Sequence, residues 1–225
     1  EFRRVLFRSF LGLSTGIMDQ FISRCARADH ALFLDCRNFQ YELIPIAFPN
    51  ALFVIANTCC ARKLTASKYN ERVGECREAV ETLAAQGASG THLRDYSLED
   101  LEACRAALPE HVFRRARHVI SENARTPSAC DAMRAGDAGR LGTLMTASDE
   151  SLRGDYEVTS PELDAMTAVA RGLEGCFGAR MTGAGFGGCT INLVAADRVD
   201  AFAHGLLAGY KAKTGLDGEI VVSKP

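Results

Sequence analysis

At 225 residues and 47% apolar content, the chain is long enough to bury a sizeable core in one large domain or two small ones. A formal net charge of -2 without a basic stripe excludes the footprint nucleic-acid binding needs, and no run of about 18 apolar residues exists to cross a membrane as a helix. The nine cysteines lack metal-site or disulfide spacing and read as reduced thiols of a cytosolic protein; the adjacent Cys59 and Cys60 read as a strand-end pair of buried thiols.

The opening EFRRVLFRS is rich in Arg, begins without Met and joins a regular pattern abruptly at Phe10, so residues 1–9 are expected to be a non-native scar. Apolar positions Ile17, Met18, Phe21, Ile22 and Cys25 recur at helical spacing, which predicts a short helix from Ser14 to about Ala28. ALFLDC, FQYELIPI and ALFVIAN follow, separated by Arg37-Asn38 and Pro49-Asn50, and read as successive antiparallel strands joined by turns. Residues 67–85 return to helical spacing through Tyr69, Val73, Cys76, Val80 and Leu83, with GASG as the stop. Ser97 with Asp100 caps a short helix, Pro109 suits the first turn of another, and Ser160-Pro161 opens a third. CTINLVA reads as a buried strand, Asp197 starts the last helix and GEIVVS closes as a strand. Helices gathered against an antiparallel sheet imply an α+β architecture.

MTGAGFGG places Gly183, Gly185 and Gly188 at the spacing of a dinucleotide fingerprint. That motif needs a helix after it, whereas CTINLV are strand formers, so the segment reads as a glycine turn between two strands that requires positive φ. Four glycines in six residues, counting Gly187, are more than a turn needs and leave a backbone that a ligand can approach. GLSTGIMDQF puts Asp19 one turn beyond Gly16 at a helix start; such an Asp stabilises the helix, and it can also accept a proton from a substrate hydroxyl, as phosphoryl transfer requires. Tyr69, in SKYNERVGEC, sits on the first turn of its helix, where a tyrosine either packs its ring and wets its hydroxyl or touches a ligand.

Together these stretches resemble the galactokinases, a family within the GHMP superfamily of sugar and small-alcohol kinases. GIMDQF looks like the segment that holds the family's catalytic Asp, LDCR follows at the expected distance, and ASKYNER is similar to the segment whose Tyr contacts galactose. RHVISENART, SLRGDYEVTSPELD and GARMTGAGFGGCTINLV then come in family order, so the likeness covers residues 10–225. It implies a GHMP-kinase-like fold, with residues 10–60 as the distal part of the N-terminal kinase domain and 61–225 as a ferredoxin-like C-terminal domain of antiparallel sheet and helices. It also implies ATP-dependent, magnesium-assisted phosphorylation of D-galactose to galactose 1-phosphate in the cytoplasm by a protein that is monomeric at full length. Asp19 would take or orient the proton of the anomeric hydroxyl, Gly16 and Tyr69 would help hold the sugar, and Gly183, Gly185, Gly187 and Gly188 would shape the active-site cleft.

The chain departs from the family in two respects. The family's N-terminal galactose signature and its ATP phosphate loop have no counterpart among the 225 residues, and LSTG at 13–16 is too short to wrap a triphosphate; the expectation is poor ATP binding and little kinase activity from this chain alone. Asp149 occupies a place where the family commonly has His, and Ala61 stands where a Lys is common before the Tyr69 helix. The alternative readings are an N-acetylgalactosamine kinase, a non-catalytic galactokinase-like sugar sensor, and a gene fragment that folds only in part and exposes apolar surface.

Overall fold

The computed structural model describes residues 16–60 and 65–223. The expected scar at 1–9, the stretch 10–15, LSTG as far as Thr15 and Ala61 lie outside the described residues. Helix α1 (Met18–Cys25) leads into strands β1 (His30–Leu34) and β2 (Tyr41–Pro45), which form a two-stranded antiparallel hairpin with Leu32 opposite Leu43. Within the described residues α1 is thus shorter than the Ser14–Ala28 span its apolar spacing suggested. Its chain turns at Ala26, which is extended at ψ 145, and Asp29 has a left-handed backbone at φ 60.

Strand β3 (Ala51–Asn57) does not extend that hairpin. It is an inner strand of a second sheet with β4 (Cys176–Thr182), β5 (Cys189–Ala195) and β6 (Glu219–Ser223), in the order β4-β5-β3-β6 and antiparallel throughout. The reading of three successive paired strands is therefore corrected: β3 finds its partners far downstream. Numbered within the sheet, the order is that of a ferredoxin-like βαββαβ unit.

The helical middle runs through α2 (Thr65–Ala85), α3 (Leu98–Ala103), α4 (Glu110–Arg134), α5 (Ala138–Ser151) and α6 (Pro161–Arg171), and α7 (Val199–Thr214) precedes β6. The caps read from sequence are present. Ser97 and Asp100 form a reciprocal capping box on α3, and Ser160 caps α6 with Pro161 in its first turn. Pro109 stands at the N-cap of α4, just ahead of its first turn. A short 3-10 turn at Ala196–Arg198 comes before α7, so Asp197 precedes that helix rather than starting it.

Alternation along β3 explains the layering. Leu52, Val54 and Ala56 face a core with α6 and α7, built on Met166, Ala170, Phe202, Leu206 and Tyr210. Ala51 and Phe53 face the opposite side, against Ala132 of α4 and Leu141 and Met145 of α5. A third core joins α2, α3 and α4 through Leu83, Leu101, Val112 and Phe113. The hairpin is tied to this body by Arg94 on Asp35 at 2.5 Å, Arg37 on Asp95 at 2.5 Å and Arg134 on Glu42 at 2.7 Å. All nine cysteines are free, but Cys59 is exposed and Cys60 half-buried. The expected buried pair is corrected because the chain leaves the sheet after Asn57, and Cys59 takes a left-handed φ of 53.

Candidate active site

The six residues between β4 and β5 form the glycine turn that the sequence called for. Gly183, Gly185, Gly187 and Gly188 all have positive φ, between 80 and 125, and so does Phe186 at 58. A left-handed phenylalanine is strained and needs outside support. Phe186 donates its N–H to the Val158 carbonyl at 2.8 Å, and its ring joins an apolar cluster of Leu152, Val158, Leu163 and Met181. Gly185 admits no side chain, since a Cβ there would stand 2.1 Å from the Val158 oxygen. At the far end of the loop, Gly188 O accepts from both the amide and the hydroxyl of Thr58, at 2.9 and 2.8 Å, anchoring the turn to the end of β3.

The segment that receives the loop is itself held from behind. After α5 the chain makes a π-helical turn, Leu152–Tyr156, and Glu157 closes it in a left-handed conformation. Two buried arginines fix this turn. Arg72 of α2 donates to the carbonyls of Tyr156 and Glu157 at 2.7 and 3.2 Å. Arg115 of α4 donates to the carbonyl of Asp155 and the carboxylate of Glu157, both at 2.6 Å. Glu75 lies between the two guanidiniums, 2.8 Å from Arg72 and 3.1 Å from Arg115, and supplies the countercharge that makes two buried cations tolerable. The Arg115 guanidinium holds the Glu157 carboxyl below its ordinary pKa.

Tyr69 lies in the second turn of α2, half-buried. Burial, with Cys76 and Tyr69 adding to it, raises the pKa of the neighbouring Tyr156 hydroxyl. His118 stacks on Tyr156 at 4.4 Å and shares a 2.9 Å hydrogen bond with Ser151; burial pushes its pKa down to about 4, so it is neutral at pH 7. The 152–158 turn carries both Tyr156 and the Val158 carbonyl that holds the glycine loop. Gly16 and Asp19 stand exposed at the start of α1, a helix with no buried residue that leans on the hairpin through Phe21 stacked on Phe39. Among the described residues, no hydrogen bond or ion pair joins Asp19 to Tyr69 or to the loop.

A cleft of about 750 Å³ opens elsewhere, between β1, α2 and α4, and is lined by Phe33, Val73, Cys76, Val80, Leu93 and Val119 among others. Leu34, Asp35 and Cys36 of the LDCR stretch line it too, but Gly16, Asp19, Tyr69 and the glycines of the 183–188 loop do not. Among the described residues no group of three or more His, Cys, Asp or Glu is gathered to hold a metal ion, and no helix is long and apolar enough to cross a membrane. Sequence reasoning did not give Arg72, Glu75 or Arg115 a role. The available signal was an acidic residue three positions after an Arg in a helical stretch, which marks one helix face. Their burial, by contrast, comes from the distant turn.

Residues 129–212 match the family model described as GHMP kinases C terminal. Among curated proteins, a galactokinase of Roseiflexus sp. (strain RS-1) is 44% identical over 216 residues, covering 96% of this chain and 55% of that relative. A human galactokinase is 44% identical over 188 residues, covering 84% of this chain and 47% of the relative. Among solved structures, the crystal structure of Lactococcus lactis galactokinase complexed with galactose aligns with a TM-score of 0.92 at 39% identity, over 98% of this chain and 57% of that one. The chain spans about half the length of the curated relatives it matches.

Proposed function

We propose that the chain, which matches the GHMP kinases C-terminal model over residues 129–212 and is similar to galactokinases over most of its length, forms the sugar-side and C-terminal portion of a galactokinase, which transfers the γ-phosphoryl group of ATP to the anomeric oxygen of D-galactose. The observation that carries this reading is the likeness to a galactokinase solved with galactose, which runs over nearly the whole chain. Residues 10–60 are proposed to close an N-terminal kinase domain and 61–225 to form the C-terminal domain, with β3 reaching across that division into the second sheet.

Asp19 is the proposed base. It stands exposed in the first turn of α1, where it can take or orient the proton of the C1 hydroxyl. A placed base of this kind contributes about 10²- to 10⁴-fold, and the remainder of the acceleration comes from positioning and electrostatics. Gly16 leaves room for the sugar on its described side, since among the described residues nothing lies within 4 Å of where a Cβ would be. Tyr69 offers its hydroxyl to the sugar, and the loop at 183–188 forms one wall of the cleft with its backbone.

Magnesium is proposed to arrive on the nucleotide. An octahedral Mg²⁺ shell draws mainly on phosphate and water oxygens and needs only one or two protein carboxylates. The 225 residues alone are proposed to turn ATP over poorly, as they include no stretch resembling the family's phosphate loop. The whole protein is proposed to be a cytoplasmic monomer.

A sugar panel tests the reading on protein expressed from the uninterrupted gene. Galactose-dependent ADP release well above that with N-acetylgalactosamine or glucose is the expected result. Preference for N-acetylgalactosamine would reassign the substrate, because a pocket built for particular hydroxyls rejects analogues sharply. Sugar binding without ADP release would make the protein a sensor.

A further inference from the structure

Asp149, near the end of α5, is 1% exposed. Its Oδ2 is bonded to Arg171 of α6 and lies 3.0 Å from the Arg153 guanidinium, which satisfies its charge. Its Oδ1 does something that charge balance does not require: it accepts the backbone N–H of Met181 at 3.0 Å. Arg171 in turn donates to the carbonyl of Ala179 at 3.3 Å. Ala179 and Met181 are two apart on β4, which is an edge strand, so the carbonyl of one and the N–H of the other face the same open side. On an inner strand a neighbouring backbone would meet those two groups. Here an acceptor and a donor from one ion pair take its place.

The contact is close along this whole edge. Gly142 of α5 lies against β4 so tightly that a Cβ would stand 2.1 Å from the Phe177 carbonyl oxygen, and a Cβ on Gly178 would meet the Gly142 oxygen at 2.1 Å. Met181 lies two residues before Gly183, where the loop begins.

We propose that the Asp149–Arg171 pair acts as a substitute strand that pins the outer edge of β4 and thereby sets where the glycine loop sits, making Asp149 and Arg171 positioning residues. Their bearing on catalysis rests on the reading above, that this loop walls the sugar and nucleotide cleft.

Hydrogen–deuterium exchange read by mass spectrometry tests this on the 225-residue chain without sugar or nucleotide. Asp149→Asn keeps the shape but removes the charge that holds Arg171, and Arg171→Gln, at a partly exposed position, serves if the first variant folds poorly. Each should raise exchange over residues 181–188 by about tenfold, the local protection worth one hydrogen bond, while α2 and the first half of α4 keep wild-type rates. The double variant should be no worse than the poorer single, because the two act as one unit. An unchanged loop, or acceleration spread evenly over the chain, overturns the proposal. The readout needs no turnover, so a chain that fails to phosphorylate galactose can still show the clamp, and failure of the clamp leaves the kinase reading standing.

Discussion

Gly185 and Gly215 have nearly the same left-handed backbone, φ +80 and +75, in unlike surroundings. At Gly215, past the end of α7, nothing among the described residues lies within 4 Å of an added Cβ, so Gly215→Ala should cost only backbone strain, about 1–2 kcal/mol. Gly185→Ala carries the same strain and drives a Cβ to 2.1 Å from the Val158 carbonyl oxygen. Neither party is a flexible side-chain tip, so loop or turn must retreat, and the 2.8 Å bond from the Phe186 N–H breaks. Leaving that buried acceptor unpaired adds about 1–3 kcal/mol. Gly185→Ala should therefore cost about 2–5 kcal/mol, measured by urea unfolding with both variants and wild type at one pH and equal m-values. A difference between the two variants below about 1 kcal/mol would refute the claim that the loop is fastened to the 152–158 turn at this point.

Three further outcomes follow from the same geometry. Glu75→Ala leaves Arg72 and Arg115 buried without their shared carboxylate and should cost about 3–5 kcal/mol in urea unfolding. Ser160→Ala removes the cap on the Leu163 amide of α6 and should cost about 1 kcal/mol, seen as a small drop in Tm. His118 is held neutral, with its pKa lowered from 6.5 to about 4, so the unfolded chain binds the extra proton first as pH falls. Its contribution is present above pH 6.5 and is lost as the pH falls to about 4, amounting to about 3 kcal/mol. Urea midpoints at pH 7, 5.5 and 4 should fall less steeply for His118→Gln than for wild type.

Local chemistry was legible where it is short-ranged. The Ser97–Asp100 box, the Ser160-Pro161 start and the glycine turn depend on neighbours within a few residues. The rejection of a dinucleotide fingerprint followed from the strand formers after Gly188, and β5 occupies that stretch. β3 was misread as a continuation of the hairpin because its partners, at 189–195 and 219–223, lie more than half the chain away and periodicity says nothing of pairing. Cys59 was misread for a related reason. Its place at the end of a strand suggested burial, but the chain turns out of the sheet at that point.

The site was legible in part. Asp19, Gly16, Tyr69 and the loop glycines came from residue type, spacing and family resemblance. The frame behind the glycine loop, Arg72 and Arg115 on the 155–157 carbonyls with Glu75 between them, did not, because the two arginines reach backbone atoms of a turn about 40 to 85 residues downstream. Asp149 could be noticed as an Asp four residues before Arg153 on a helical stretch, but its bond to the Met181 amide exists only once β4 packs against α5.

The central claim, that these residues supply the sugar side of a galactose-phosphorylating site, is tested most directly by joining residues 10–225 to the preceding part of the Roseiflexus galactokinase and following phosphorus NMR with D-galactose and Mg·ATP. Galactose 1-phosphate should form in step with ADP, and Asp19→Asn should lower the rate by about 10²-fold or more. A folded chimera that makes no galactose 1-phosphate, or that makes it equally well with Asn at position 19, would contradict the account.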